Sequence, residues 1–401
     1  MRGNLIVGQS GGPTAVVNAS LVAVIQEALR HDAIGEIYGM RFGVLGLLRE
    51  DLVDLRRVSS DMLEELRRTP SAALGTSRTG LADDDVDRIM RIFQARGIRY
   101  FLYIGGNGSA ATALRLHRRA ADLRYDLWVI AIPKTIDNDL VETDHCPGHP
   151  SVARWLAVSV REAGLDTEAI GTADPVKVVE TMGRHTGWVA ASTALARQRE
   201  GEAPHLIYLP ERPFVRQRFL ADVERVHRER GHVLIAAAEG LVDERGQFLA
   251  ASQRPVEADP LGRPQFGGVG AVLCDLVMTQ LQIKARFDKP GTMQRVSALL
   301  ASRVDAEEAY RVGQAAVREA LAGRGGTMMT LVREPGPVYR STTGAVPLDR
   351  VVGDIRRVPE EFIAPSGYDV TPAYLDYIRP LVGPLPQYAK LTDVSLRPSR
   401  S

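Results

Sequence analysis

The segment Pro133-Lys134-Thr135-Ile136-Asp137-Asn138-Asp139 gathers the most reactive side chains of the sequence into seven positions. A lysine, a threonine and two carboxylates two places apart follow the apolar run Leu127–Ile132, which reads as a buried strand. Transfer of a phosphoryl group to an alcohol uses such parts: a carboxylate to take the hydroxyl proton, another to hold Mg²⁺, and cations on the charge in motion. A lone Asp-Asn-Asp is also an ordinary polar loop, because both residue types favour Asx-turns. Two glycine-rich turns add weight to the chemical reading. Gly8-Gln9-Ser10-Gly11-Gly12-Pro13 and Gly105-Gly106-Asn107-Gly108-Ser109 each join an apolar strand to a helix. Backbone N–H groups at such junctions bind anions. The first turn is neither a GxxxxGK(S/T) phosphate loop nor the dinucleotide fingerprint. It does fit G-x-S-x-G, the nucleophile elbow of acyl hydrolases, with Ser10 as nucleophile. An elbow so early in the chain leaves no earlier strand to supply the oxyanion loop.

These loops need a scaffold, and the pattern supplies one: apolar strand, glycine turn, amphipathic helix, repeated. Strands are predicted at Asn4–Val7, Ile34–Met40, Tyr100–Ile104, Leu127–Ile132, Val176–Glu180, His205–Leu209, Val233–Ala238 and Lys284–Phe287. Helices are predicted at Ala15–Leu29, Ala110–Ala121, His185–Arg199, Arg216–Arg230 and Gly270–Gln282. Short, nearly all-apolar strands alternating with helices imply an α/β fold of mostly parallel sheets covered on both faces. The glycine turns then sit at the carboxyl ends of strands, where open sheets bind ligands. After Glu334 the alternation is lost and Pro and Tyr become frequent, which reads as a C-terminal extension packed on the body.

Composition excludes several classes. Fifty Lys plus Arg against forty-nine Asp plus Glu leave a net charge of +1 over 401 residues, so the chain lacks the electrostatic footprint of a nucleic-acid or membrane-surface binder. Apolar residues at 45% and charged ones at 25% are those of a globular chain, and the length predicts two domains. The two cysteines, Cys146 and Cys274, lie too far apart for a zinc pair and are too few for a disulfide framework. With no signal-like segment and no apolar run near the roughly 18 residues of a membrane span, a cytoplasmic, soluble protein is expected.

GQSGGPTAVVNAS, LGTSRTG, YIGGNGS, PKTIDND, VVETMGRHTGW, AAAEG and GTMQR, in this order, resemble the phosphofructokinase family over residues 4 to 323. The YGM…FG and TDHCPG details resemble its pyrophosphate-dependent members. The resemblance implies two lobes: a phosphoryl-donor lobe, 1–150, re-entered at about 292–312, and a sugar-phosphate lobe, 151–291, continued at about 313–333, with 334–401 as the extension. It implies Asp137 as the base for the 1-hydroxyl of fructose 6-phosphate, Asp139 in support of Mg²⁺ or of the base, and Thr135 holding the transferred group. Gly11, Arg78, Gly105, Gly106, Asn107, Gly108 and Ser109 should line the donor. Met182, Gly183, Arg184, Glu239 and Arg295 should contact the sugar phosphate, and Arg286 should reach in from a neighbouring subunit of a homodimer or homotetramer.

Some positions depart from the family pattern. Pro175 and Thr292 stand where an arginine and a histidine are usual, which would suit another acceptor such as sedoheptulose 7-phosphate. Asn107 replaces a metal-associated aspartate, which predicts looser Mg²⁺ binding. His149 replaces an aromatic residue. On the donor, Lys134 is typical of pyrophosphate users, whereas Gly108 lacks the side chain that would repel an ATP α-phosphate. The balance of these two residues leans narrowly to ATP. Val22 and Gln26 occupy the places of effector-binding arginines, so control by ADP or phosphoenolpyruvate is not expected. A non-catalytic phosphometabolite sensor is the rival class, though it would not need Lys134, Asp137 and Asp139.

Overall fold

The computed structural model describes residues 2–250 and 268–391. The stretches 251–267 and 392–401, which fall within the predicted second lobe and extension, lie outside the described residues. The first half comprises β1 (Gly3–Gln9), α1 (Val17–Ala28), β2 (Ile34–Met40), α2 (Val44–Leu48), β3 (Leu52–Asp54), α3 (Ser60–Arg68), α4 (Asp83–Ala95), β4 (Ile98–Gly105), α5 (Asn107–Asp122) and β5 (Trp128–Pro133). The long α6 (His149–Ala169) leads to β6 (Val176–Thr181), α7 (Trp188–Ser192), β7 (Leu206–Tyr208), α8 (Arg216–Arg230), β8 (Val233–Ala238), α9 (Val269–Gln280) and β9 (Ala285–Asp288). Then come α10 (Met293–Val296), α11 (Arg303–Leu321), β10 (Thr327–Arg333), β11 (Ser341–Pro347) and α12 (Pro372–Val382).

Two sheets organise the described residues: seven strands in the order β11-β10-β5-β4-β1-β2-β3, and four in the order β7-β8-β6-β9. Only the outer pairs β10–β11 and β2–β3 are antiparallel. The apolar strands explain why both faces must be covered. On β4, Phe101 and Tyr103 join a core with Ile89 and Phe93 of α4 and Leu116 of α5. Tyr100, Leu102 and Ile104 point the other way, to Leu21 and Ile25 of α1 and Val312 of α11. In the second sheet Val176, Val178 and Ile235 pack on Phe219, Val223 and Val226 of α8, spaced four and three apart as one helical face requires. The opposite face, through Val179 and Leu234, meets Val152, Leu156 and Val160 of α6.

Two expectations need correction. Residues 313–333 do not continue the second lobe: Thr327 and Met328 of β10 pair in parallel with Ile130 and Ala131 of β5, and α11 lies on α1. Gly313 permits that approach, since a Cβ there would stand 2.5 Å from Ser20 O. Nor does a helix run through His185–Arg199. Only Trp188–Ser192 is α-helical, followed by a 3₁₀ turn over Thr193–Ala196. The Ser192 and Thr193 hydroxyls donate back to Val189 O and Ala190 O, a competition that favours the tighter turn. The segment after Glu334 is also more regular than its composition suggests. It adds β11 to the first sheet and lays Tyr374, Ile378 and Leu381 of α12 against Trp188, Ile207 and Ala236 in the second lobe.

Candidate active site

In the first sheet the chain runs from β1 outward to β2 and later returns on the other side as β4. The loops after β1 and β4 therefore open side by side at a topological switch point, the usual ligand crevice of such sheets. These are the two glycine turns. Ser10 N donates to Ile104 O at 2.9 Å, tying one to the other. Gly11 adopts φ +75°, which a glycine takes without penalty. Gly105 is sterically required: a Cβ there would fall 2.0 Å from Ser109 Oγ. Asn107, Gly108 and Ser109 form the first turn of α5, a helix start that favours an anion, with Ser109 N donating to Gly106 O at 2.9 Å. Ser10 is hydrogen-bonded with Tyr103, which gives no support to the hydrolase alternative.

The neighbouring strand β5 delivers the reactive segment to this crevice. Lys134 is buried, and its Nζ donates to Gly12 O at 2.8 Å. Burial, with Arg295 nearby, pushes its ammonium down to about 8, against the pull of Asp137 and Asp139. Asp137 is part-exposed. Burial and the charges of Asp139 and Glu239 push its carboxyl up to about 7, opposed by Lys134 and Arg184. Asp139 is also raised by burial, while a hydrogen bond from Asn107 Nδ2 to its Oδ2 at 2.8 Å acts the other way. Thr135 Oγ1 accepts from Asp137 N at 3.1 Å and so faces the same loop. Asn138, fully buried between the carboxylates, adopts φ +54°, a conformation that Asn tolerates better than most side chains.

Residues after β6 and β8 of the second sheet act on the Asp137 carboxylate. Gly183, at the end of β6, takes φ +133°, where a Cβ would lie 2.7 Å from Thr186 O. Glu239, after β8, donates its N–H to Thr181 O at 2.9 Å, and burial raises its carboxyl. Arg184 is part-exposed and acts electrostatically on both Asp137 and Glu239. Met182 N donates to Gln294 Oε1 at 3.1 Å. Arg295, one residue on, rests against the donor loop: its Nη1 is 2.7 Å from the place a Gly12 Cβ would take. Burial, with the charge of Arg78, lowers its pKa, opposed by Asp137 and Glu239.

Most predicted residues thus converge. Arg286 does not: it lies on β9, an edge strand, with 61% of its side chain exposed, and pairs with Asp174 at 3.0 Å. Several residues escaped the sequence reading. Glu180 accepts from Gly268 N and Gly270 N, each within 3.0 Å, fixing the start of α9 beside the cleft. Thr186 donates to Asp137 O at 3.0 Å, and its place in GRHTGW was the available signal. His149 is held neutral, pushed by burial down to about 3, with its ring 6.2 Å from that of Trp188 and Nδ1 on Ile136 O at 2.9 Å.

Mg²⁺ can be tested against these residues. Asp139 Oδ1 is buried without a hydrogen-bond partner. Among the described residues no group of three or more His, Cys, Asp or Glu could hold a metal by itself. One open carboxylate oxygen beside a phosphate crevice fits Mg²⁺, which takes one or two carboxylates together with waters and substrate phosphates.

Against known proteins, the family model described as Phosphofructokinase matches residues 4–320. The chain belongs to that family. It is 38% identical to a pyrophosphate–fructose 6-phosphate 1-phosphotransferase of Methylococcus capsulatus over 98% of this chain and 97% of that one. A like-named enzyme of Halomonas elongata is 39% identical over 94% and 91% of the two chains. The crystal structure of a pyrophosphate-dependent phosphofructokinase from Nitrosospira multiformis superposes with a TM-score of 0.87 at 37% identity, covering 96% of this chain and 94% of that one. Among the described residues no helix is long and apolar enough to cross a membrane.

Proposed function

We propose that this phosphofructokinase-family phosphotransferase moves a phosphoryl group from pyrophosphate to the 1-hydroxyl of fructose 6-phosphate, giving fructose 1,6-bisphosphate and phosphate. The observation that carries the reading is Lys134: a buried ammonium whose hydrogen bond to Gly12 O at 2.8 Å ties it to the donor loop beside Arg295. Concentrated positive charge on the loop itself suits a donor that brings four phosphate charges and no nucleoside. The pyrophosphate-dependent relatives support the same choice and reverse the narrow lean to ATP. Gly108 keeps ATP as the second reading, because a Cβ there would meet nothing within 4 Å.

In this reading Asp137 accepts the proton of the attacking hydroxyl, a task suited to a carboxylate raised to about 7. Thr135, the first turn of α5 and Arg295 hold the moving phosphoryl group. Asp139, with Asn107 behind it, would hold Mg²⁺, which supplies charge neutralisation on the phosphates when bound. Arg184, Glu239 and the Gly183 turn orient the sugar phosphate. Arg286, exposed on its edge strand, would serve a partner copy in a homodimer or homotetramer. Asp137→Ala separates this enzyme from a phosphometabolite sensor. Turnover should fall by about 10³-fold or more while pyrophosphate still binds. A variant that retains wild-type turnover overturns the assignment.

A further inference from the structure

The loop bearing the two carboxylates is held from outside by residues with no part in the proposed chemistry. Three successive carbonyls, those of Asp137, Asn138 and Asp139, are each taken by a distant donor. Thr186 Oγ1 donates to Asp137 O at 3.0 Å, Arg356 Nη1 to Asn138 O at 3.4 Å, and Arg356 N to Asp139 O at 2.9 Å. The Asn138 side chain is held likewise: Cys146 N donates to its Oδ1 at 2.9 Å, and its Nδ2 donates to Tyr377 Oη at 3.3 Å. Arg356 is itself fixed on both ends. Its guanidinium lies 4.3 Å from the centre of the Trp188 ring, and its carbonyl accepts from Trp188 Nε1 at 3.0 Å. Tyr377 Oη further donates to Asp144 O at 2.8 Å, and Arg333, over the Tyr377 ring at 4.7 Å, donates to Tyr377 O at 3.1 Å.

We infer that Arg356, seated on Trp188 and assisted by Tyr377, is a positioning residue through which the C-terminal segment sets the backbone of Asp137–Asn138–Asp139 for phosphoryl transfer. Asn138 is the pivot: a residue at φ +54° between two crowded carboxylates is strained unless its surroundings fix it. Small displacements of catalytic groups are costly in rate because the productive geometry is narrow. The inference rests on the proposed roles of Asp137 and Asp139. It gives the segment after Glu334 a function in catalysis, besides packing.

The test measures kcat, the KM values for pyrophosphate and fructose 6-phosphate, and thermal melting for Arg356→Ala, Arg356→Lys and Tyr377→Phe in the full chain. Arg356→Ala should lose roughly 10- to 100-fold in kcat with both KM values little changed, because the substrate-binding groups are not moved. Arg356→Lys keeps a cation over Trp188 and should recover most of the rate. A folded Arg356→Ala variant with wild-type kcat overturns the inference, as does a loss that tracks only the unfolded fraction. Should Arg356→Ala fail to fold, Tyr377→Phe, which removes one hydroxyl, decides by the same split: a fall in kcat at constant KM supports the inference and an unchanged kcat overturns it. Asp137→Ala, run alongside, keeps the two claims apart. Full turnover there defeats the base assignment, whereas a dead Asp137→Ala with an unimpaired Arg356→Ala defeats only the positioning role.

Discussion

Replacing His145 by Gln should remove a specific pH dependence of folding stability. The ring is fully buried between two carboxylates, Nδ1 at 2.8 Å from Asp144 Oδ2 and Nε2 at 2.7 Å from Glu308 Oε2. Both nitrogens face acceptors, so the imidazolium form satisfies the site. Burial alone would lower its pKa, but the hydrogen bonds and charges of Asp144 and Glu308 prevail and push it up to about 9. A group raised in the folded state stabilises fully below its unfolded value near 6.5 and loses that contribution as pH climbs towards 9. At about 1.4 kcal/mol for each unit, the span from 6.5 to about 9 is worth about 3 kcal/mol. Urea unfolding of the wild type and of His145→Gln, measured between pH 6.5 and 9.5, should show the difference in stability shrinking by about that amount. Differencing matters because Lys134, pushed down to about 8, contributes with the opposite sign at the alkaline end. Parallel stability curves for the two proteins would refute the charged triad.

Three further outcomes follow from the site. The kcat/KM profile should be bell-shaped, its acid limb set by Asp137 near 7 and its alkaline limb by Lys134 near 8; a profile flat from pH 5 to 10 contradicts both assignments. Gly183→Ala should lose about 1–3 kcal/mol of stability and weaken sugar-phosphate binding, because φ +133° and the Thr186 carbonyl at 2.7 Å leave no room for a methyl group; an unchanged melting temperature contradicts this. Asn107→Asp should lower the Mg²⁺ concentration needed for half-maximal rate by placing a second carboxylate beside Asp139. A requirement as low in the wild type as in the variant contradicts the looser-binding argument.

Much of the scaffold was legible because fully buried parallel strands are written as apolar runs. Ile34–Met40 and Val233–Ala238 end where expected, as does the amphipathic helix Arg216–Arg230, closed by Gly231 at φ +76°. The crevice was legible through its glycines, which mark steric needs that the sequence displays directly. What stayed hidden depends on long-range partners. No local pattern announces that β10 joins β5, or that Arg356 reaches a carbonyl more than two hundred positions earlier. His149 looked anomalous in the sequence, yet it is a neutral, buried ring packed edge-on against Trp188. Val22 is buried in the core, and part-exposed Gln26 accepts from Tyr310 Oη at 2.6 Å, contacts that the sequence pattern did not announce.

The most direct measurement is kcat/KM for pyrophosphate and for ATP, with Mg²⁺ and saturating fructose 6-phosphate, following fructose 1,6-bisphosphate. The charge placed by Lys134 and Arg295 on the donor loop predicts that pyrophosphate exceeds ATP by more than about tenfold. Equal or greater efficiency with ATP would assign donor choice to the open space at Gly108 and contradict the account.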